Sequence, residues 1–170
     1  MKNFVAPLLI FLLLILSRYM SDIPNFTPTI SLILFSSYFI NNKYTSMLTV
    51  LASQIIADIY IGTYSYVFFV YLSYLIIVLI GEFYLKELKL KSVIISSFLA
   101  ASIFFIVSNF GFWFTESLYS HDLNGLIACY VAAIPFFDDS LISASLYSLT
   151  IYIIYKFYKN LFSEANIVTK

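Results

Sequence analysis

The chain has 170 residues and no net charge at neutral pH, nine Lys and Arg balancing nine Asp and Glu. Hydrophobic residues make up 62%, charged residues 11%, and the mean hydropathy is +0.95, against roughly 45–50% apolar and about 25% charged in a soluble domain. Such a chain cannot cover a water-facing surface with polar groups, and it lacks the basic face that nucleic-acid binding needs.

At this length one domain, 1–170, is expected, because no stretch is polar enough to form a linker or a second domain. Its solvent is the lipid bilayer. In hydrocarbon every backbone polar group must be satisfied internally, so spans are helices or closed barrels. Barrel strands alternate apolar and polar residues. Runs such as LLIFLLLILS and YLSYLIIVLI do not alternate, which selects helices. The sole cysteine, Cys129, excludes an internal disulfide and any cysteine-based metal cluster.

The first apolar stretch, Asn3–Ser17, follows Lys2 and imitates a signal peptide. No small-x-small cleavage motif follows it, and Arg18 does, so an uncleaved first helix is expected. The second stretch is Phe26–Ile40, closed by Asn41-Asn42-Lys43, and the third is Tyr44–Ala57, ending at Asp58. The fourth lies within Ile59–Gly81 after a turn at Gly62-Thr63, and the fifth is Ser92–Thr115. Beyond the polar Glu116–Asp122 come a short apolar piece, Leu123–Phe137, the acidic pair Asp138-Asp139, and a last stretch, Ser140–Tyr155.

Charge placement fixes the expected topology. With six crossings and the N-terminus inside, Lys2, Lys43, Lys86, Lys89, Lys91, Lys156, Lys159 and Lys170 are cytoplasmic and only Arg18 is outside. Making Leu123–Phe137 a full crossing would put the last three lysines outside. The expected fold is therefore an all-α polytopic bundle of six transmembrane helices plus a short re-entrant or interfacial helix, both termini inside, in the cell (inner) membrane. High Ile, Phe, Tyr, Lys and Asn usage points to an AT-rich bacterial genome. Close helix approach is expected at the small-xxx-small pairs Ser53/Ala57, Ser96/Ala100, Ser97/Ala101, Ala128/Ala132 and Ser140/Ala144. Tyr19, Tyr60, Trp113, Tyr119 and Tyr158 near span ends read as interface anchors.

This topology gathers Arg18, Asp22, Asn25, Thr27, Asp58, Asn109, Trp113, Glu116, His121, Asp122, Asn124, Asp138 and Asp139 at the outer end. Convergent polar groups over apolar walls are what a small-molecule cavity requires. Ionisable residues at membrane depth carry a functional role by default. Asp58 has Gln54 one turn earlier on the same face, so both are candidates to face one cavity; the plainer reading is a turn cap in water. Asn109, inside the fifth stretch, needs either a neighbouring helix or a ligand. Arg18 and Asp22 have the i,i+4 spacing of an ordinary surface ion pair. His121 is the only histidine, and with no second histidine or suitable cysteine a metal site is not expected. Cys129 reads as a small packing residue. No HExxH, GxSxG or phosphate-cradling glycine loop is present, so neither an enzyme nor a resident cofactor is expected.

The segments NFTPTISLILFSSYF (25–39), ASQIIADIYIGTY (52–64), SNFGFWFTESLY (108–119) and NGLIACYVAAIPFFDDSL (124–141) cover about 60 residues and resemble a small bacterial membrane family of unknown function. That family is similar to the substrate-binding S components of energy-coupling-factor vitamin transporters. The resemblance implies a six-helix protein that binds a vitamin-like molecule in an outward-facing cavity and docks on a transmembrane coupling subunit with two ATPases. Asn25, Thr27, Asp58, Asn109, Trp113, Tyr119 and Tyr130 are the ligand-binding candidates it selects. Pro28, Gly125, Pro135 and Phe136 are expected to set shape, and Cys129 also falls in a matching segment.

Two departures bear on function. S components often carry AxxxA in the first helix for docking, whereas here Ala6 is followed by Ile10. Nickel and cobalt members begin Met-His, and this chain begins Met-Lys, which demotes metal substrates. The expected function is thus a nutrient-binding subunit of an importer. The alternatives are a non-transporting accessory protein packed into a larger membrane complex and, less favoured, an enzyme acting through Glu116, His121 and Asp122.

Overall fold

A computed structural model describes residues 2–19 and 25–168, with side chains for 4–19 and 25–161. Among them are six helices and no strand: α1 (Lys2–Ser17), α2 (Thr29–Ile40), α3 (Lys43–Ile61), α4 (Val67–Tyr84), α5 (Leu90–Thr115) and α6 (Leu123–Val168). Four of them, α3 to α6, are long and apolar enough to cross a membrane. α1 and α2, with 16 and 12 residues, fall short of the roughly 20 that a perpendicular crossing needs.

The boundaries follow local chemistry. The Asn42 side chain accepts from the Thr45 amide at 3.0 Å and caps α3, directly after Asn41 turns the chain in the left-handed region at φ 54°. Gly62, at φ 113°, ends α3 in a conformation closed to most side chains. Asp122 caps α6: its Oδ1 accepts from the Gly125 amide at 2.8 Å and its carbonyl accepts from Leu126 at 3.0 Å.

The short α2 is the centre of the bundle, packed against each of the other five helices. Eight of its 12 residues are buried, including Ser31, Ser36 and Ser37, whose hydroxyls all donate to main-chain carbonyls. Small hydroxylated residues let neighbouring backbones come close while leaving no polar group unpaired. α4 exploits this at Gly81, where an added Cβ would lie 2.1 Å from the Leu34 carbonyl oxygen. Of the small-xxx-small pairs, Ser53/Ala57, Ser96/Ala100, Ser97/Ala101 and Ser140/Ala144 are buried, whereas Ala128 and Ala132 are exposed.

The largest departure from the sequence reading is α6. Leu123–Phe137 is no separate re-entrant helix, and Asp138-Asp139 is no break. One helix of 46 residues runs through both and through Pro135. Proline removes a single N–H from a ladder that neighbouring bonds still hold. The acidic pair interrupts an apolar run without interrupting backbone hydrogen bonding, because Asp138 is exposed and Asp139 only half-buried. At 1.5 Å per residue α6 is about 69 Å long, more than twice the roughly 30 Å hydrocarbon core.

Its two halves have different partners. The first runs antiparallel to α5, with Tyr130 Oη donating to the Ile106 carbonyl at 2.6 Å and Phe137 against Phe105 at 4.7 Å. The second runs parallel to α2, through Ser143 to the Asn25 carbonyl, Ser31 to the Ala144 carbonyl, and Tyr38 to Tyr155. α2 therefore begins beside the middle of α6. The N-terminal half of α6 continues past it together with α5, and this offset leaves space above the start of α2.

Candidate functional site

That space is a cavity of about 530 Å³. α5 contributes Phe104, Phe105, Ser108, Asn109 and Phe112 to its wall, and α6 contributes Cys129, Ala132, Ala133, Phe136 and Ser140. α4 adds Val70 and Tyr74. The connecting segments complete the lining, with Arg18 and Asn25 between α1 and α2, Tyr64 and Tyr66 between α3 and α4, and Leu118 and Tyr119 between α5 and α6. Volume and lining match the usual small-molecule pocket, mostly apolar and aromatic with a few polar groups.

Arg18 is the only charged side chain on this wall among the described residues. Its Nη2 donates to Asp58 Oδ1 at 2.7 Å, and Tyr71 Oη donates to Asp58 Oδ2 at 2.7 Å. The carboxylate lies behind the wall, 1% exposed, while the Arg18 side chain keeps 21% of its surface. The pair is thus polarised, cation toward the cavity and anion toward the protein. Tyr64 and Tyr74 stand beside the guanidinium. Burial, then the neighbouring Tyr74 and Asp58, pushes the Tyr64 phenol well above its ordinary range, so it remains a neutral hydrogen-bonding group there.

The aromatic residues are arranged as flat surfaces. Tyr74 and Phe104 stack at 5.8 Å with 6° between their planes, and Tyr66 meets Phe112 edge-on at 5.3 Å. Gly111 admits Phe69 against α5, since an added Cβ would lie 2.4 Å from that side chain. The α5–α6 connection is tied down by Trp113 Nε1 donating to the Ser120 carbonyl at 2.9 Å, with the His121 ring 5.5 Å from the indole. Gly125 permits the same connection to fold onto α6, because a Cβ there would lie 1.9 Å from the Ser120 carbonyl oxygen. Ser65 donates to Glu116, linking this connection to the one before α4.

Of the residues selected from sequence, Asn25, Asn109 and Tyr119 line the cavity, and Asp58, Thr27, Trp113 and Tyr130 do not. Asn25 adopts the left-handed region at φ 62°. Asn109 Nδ2 donates to the Phe105 carbonyl at 2.7 Å, one turn back on its own helix. Thr27 bonds Thr29, which bonds Ser17 at 2.8 Å and so ties the end of α1 to the start of α2. Asp58 holds Arg18, Tyr130 is bonded to α5, and Trp113 holds a loop. Asp22, expected to pair with Arg18, lies outside the described residues. Gln54 is fully buried with neither side-chain polar atom hydrogen-bonded, and it does not line the cavity.

The sequence reading put Arg18 in the outer polar cluster without selecting it as a ligand-binding candidate, and it passed over Tyr64, Tyr66 and Tyr74. The signal available for Tyr74 was a run of hydroxyls, Tyr71, Ser73 and Tyr74, in the middle of a largely apolar helix. Tyr64 and Tyr66 sit in a turn where nothing local sets them apart.

No curated protein and no solved structure matches the chain. The profile of one family, described as a family of unknown function (DUF6580), matches residues 1–165, and the chain belongs to that family.

Proposed function

We propose that the protein is the small-molecule-binding membrane subunit of a nutrient importer, similar in role to the S components of energy-coupling-factor transporters. The observation that carries this reading is the cavity at one end of the bundle, walled by α4, α5 and α6 and floored by the ends of α1 and α2 around Arg18. A protein built only to pack against others has no use for an open cavity of about 530 Å³ with polar groups among its apolar walls.

In this reading the chain crosses the inner membrane six times with both termini in the cytoplasm, and the cavity faces outward. Lys43, Lys86, Lys89 and Lys91 sit at the helix ends opposite Arg18, as the positive-inside bias favours. The parallel course of α2 and the second half of α6 agrees with both running inward. The short α1 and α2 need not cross alone: both pack against neighbouring helices, and non-helical backbone at membrane depth is tolerated where it is buried in protein.

Ligand entering from outside would displace water from the aromatic wall and meet Asn25, Asn109 and Arg18. Rearrangement of the connections carrying Tyr64 and Tyr119 would cover it. Release inward needs movement of the whole bundle against a transmembrane partner driven by ATPases. The AxxxA docking pattern is absent from α1, so such a partner would use another helix face.

The test is thermal unfolding of the purified protein against a broad panel of vitamin-like nutrients, with Ala132→Phe, which fills the cavity, as control. A concentration-dependent rise in melting temperature with one compound, absent in Ala132→Phe, is expected. Equal response of both proteins, or no response to any compound, contradicts the reading.

A further inference from the structure

Resting on that reading, we infer that the cavity selects a flat, unsaturated carboxylic acid, held by its carboxylate on Arg18. Three observations lead there. Arg18 is the one charged group on the wall among the described residues, with no acidic side chain beside it there. Its counter-ion is withdrawn: Asp58 is 1% exposed and reaches the guanidinium only through Nη2. The remaining wall is dominated by rings, with Tyr74 and Phe104 in parallel stacking and Phe112 and Phe136 around them.

A guanidinium has five N–H donors in a planar fork suited to a carboxylate. Asp58 and Tyr71 hold this fork in place from behind: Tyr71 donates to the second carboxylate oxygen, so Asp58 cannot rotate away without losing a bond. An incoming cation would meet the exposed positive end of the pair and, among the described residues, no carboxylate on the wall. A neutral ligand would gain only ordinary hydrogen bonds. An anion gains charge-assisted bonds between largely apolar walls, where they are stronger than in bulk water. The stacked rings favour a planar body over a branched aliphatic one.

Asp58 is in this view a positioning residue, and its worth lies in keeping Arg18 oriented at membrane depth. The pair as a whole is neutral, which makes a buried cation tolerable in the empty protein.

The test uses 2-naphthoate, 2-naphthamide and 2-naphthylmethylammonium as probes of one shape and three charges, read by thermal unfolding of the full chain in detergent. Naphthoate is expected to bind about 10- to 100-fold more tightly than the amide, with no response to the ammonium. Arg18→Lys should retain part of the preference. Arg18→Gln should abolish it, and because that variant strands the Asp58 charge, the double variant R18Q/D58N provides the same test with both charges removed. Equal affinity for acid and amide, or preference for the ammonium, overturns the inference while leaving a binding cavity in place. So does an undiminished acid preference in R18Q/D58N. Stabilisation by none of the three also overturns it, and the importer reading then stands or falls on its own nutrient panel.

Discussion

Arg18 and Asp58, forty residues apart in sequence, share a hydrogen-bonded ion pair of 2.7 Å that ties the end of α1 to the last turns of α3. Asp58 is almost wholly inside the protein, so removing its partner strands a buried charge, which costs about 3–5 kcal/mol. Asp58→Ala leaves the cation without its partner and Tyr71 without its acceptor. We predict that Asp58→Ala and Arg18→Gln each lower stability by about that amount, and that R18Q/D58N recovers most of the loss, since no net charge is then stranded. Chemical unfolding in detergent with a double-mutant analysis checks this. Losses that simply add would contradict it.

Gln54 presents the opposite case. Its amide is fully buried and unbonded in both atoms, a desolvation penalty with nothing gained in return. Gln54→Leu is predicted to be neutral or to stabilise by about 1 kcal/mol. Destabilisation beyond about 1 kcal/mol on unfolding would mean that the amide holds an internal water or other polar partner.

Gly81 marks the closest approach of α2 and α4. The obstacle to a side chain is the Leu34 carbonyl, which is main chain and cannot turn aside, together with the Ser37 hydroxyl. We predict that Gly81→Ala destabilises by about 1–3 kcal/mol through overpacking, despite alanine's better helix propensity. A melting temperature at or above that of the native chain would show that the two helices separate freely.

Asp122 makes the start of α6 sensitive to acid. Its carboxyl is held below the usual range, first by the Gly125 amide and then by the Ser120 hydroxyl. Because the folded-state value is the lower one, the contribution is complete above the unfolded value of about 3.9 and disappears as pH falls through the folded value. The protection of the Gly125 and Leu126 amides against hydrogen exchange, relative to their intrinsic rates at each pH, should therefore fall below about pH 4 in the native chain. In Asp122→Asn, which keeps a capping oxygen, this fall should be absent. Identical pH profiles would refute the assignment.

Most of the helical framework was legible because its punctuation is chemical. Asn41-Asn42-Lys43, Gly62-Thr63 and the Lys86–Lys91 cluster bound apolar runs, and α1, α3, α4 and α5 follow them within a few residues. α6 was illegible for a physical reason. Charge decides where a chain leaves hydrocarbon, whereas helix continuity depends on backbone bonds that Asp138 and Asp139 leave intact. The two coincide for most spans and separate here.

The site was half legible. Asn25, Asn109 and Tyr119 declare themselves as polar or amphipathic groups near span ends. Arg18 was read with Asp22 by local spacing, and its pairing with Asp58 across forty residues depends on how α1 and α3 pack, which no short pattern records. The central place of α2 was equally hidden. Its length suggests a minor element, and only its three buried serines, Ser31, Ser36 and Ser37, hint that neighbours approach from every side.

The central claim is that the cavity beneath Tyr64 and Tyr119 holds a small molecule. The most direct measurement is mass spectrometry of solvent extracts from the protein purified out of its own membranes, beside Ala132→Phe prepared identically. A compound present in near-stoichiometric amount in the native chain and depleted at least tenfold in Ala132→Phe is the predicted result, about 1.4 kcal/mol of binding lost. Extracts that contain only lipid and detergent, or a compound equally abundant in both proteins, would contradict it.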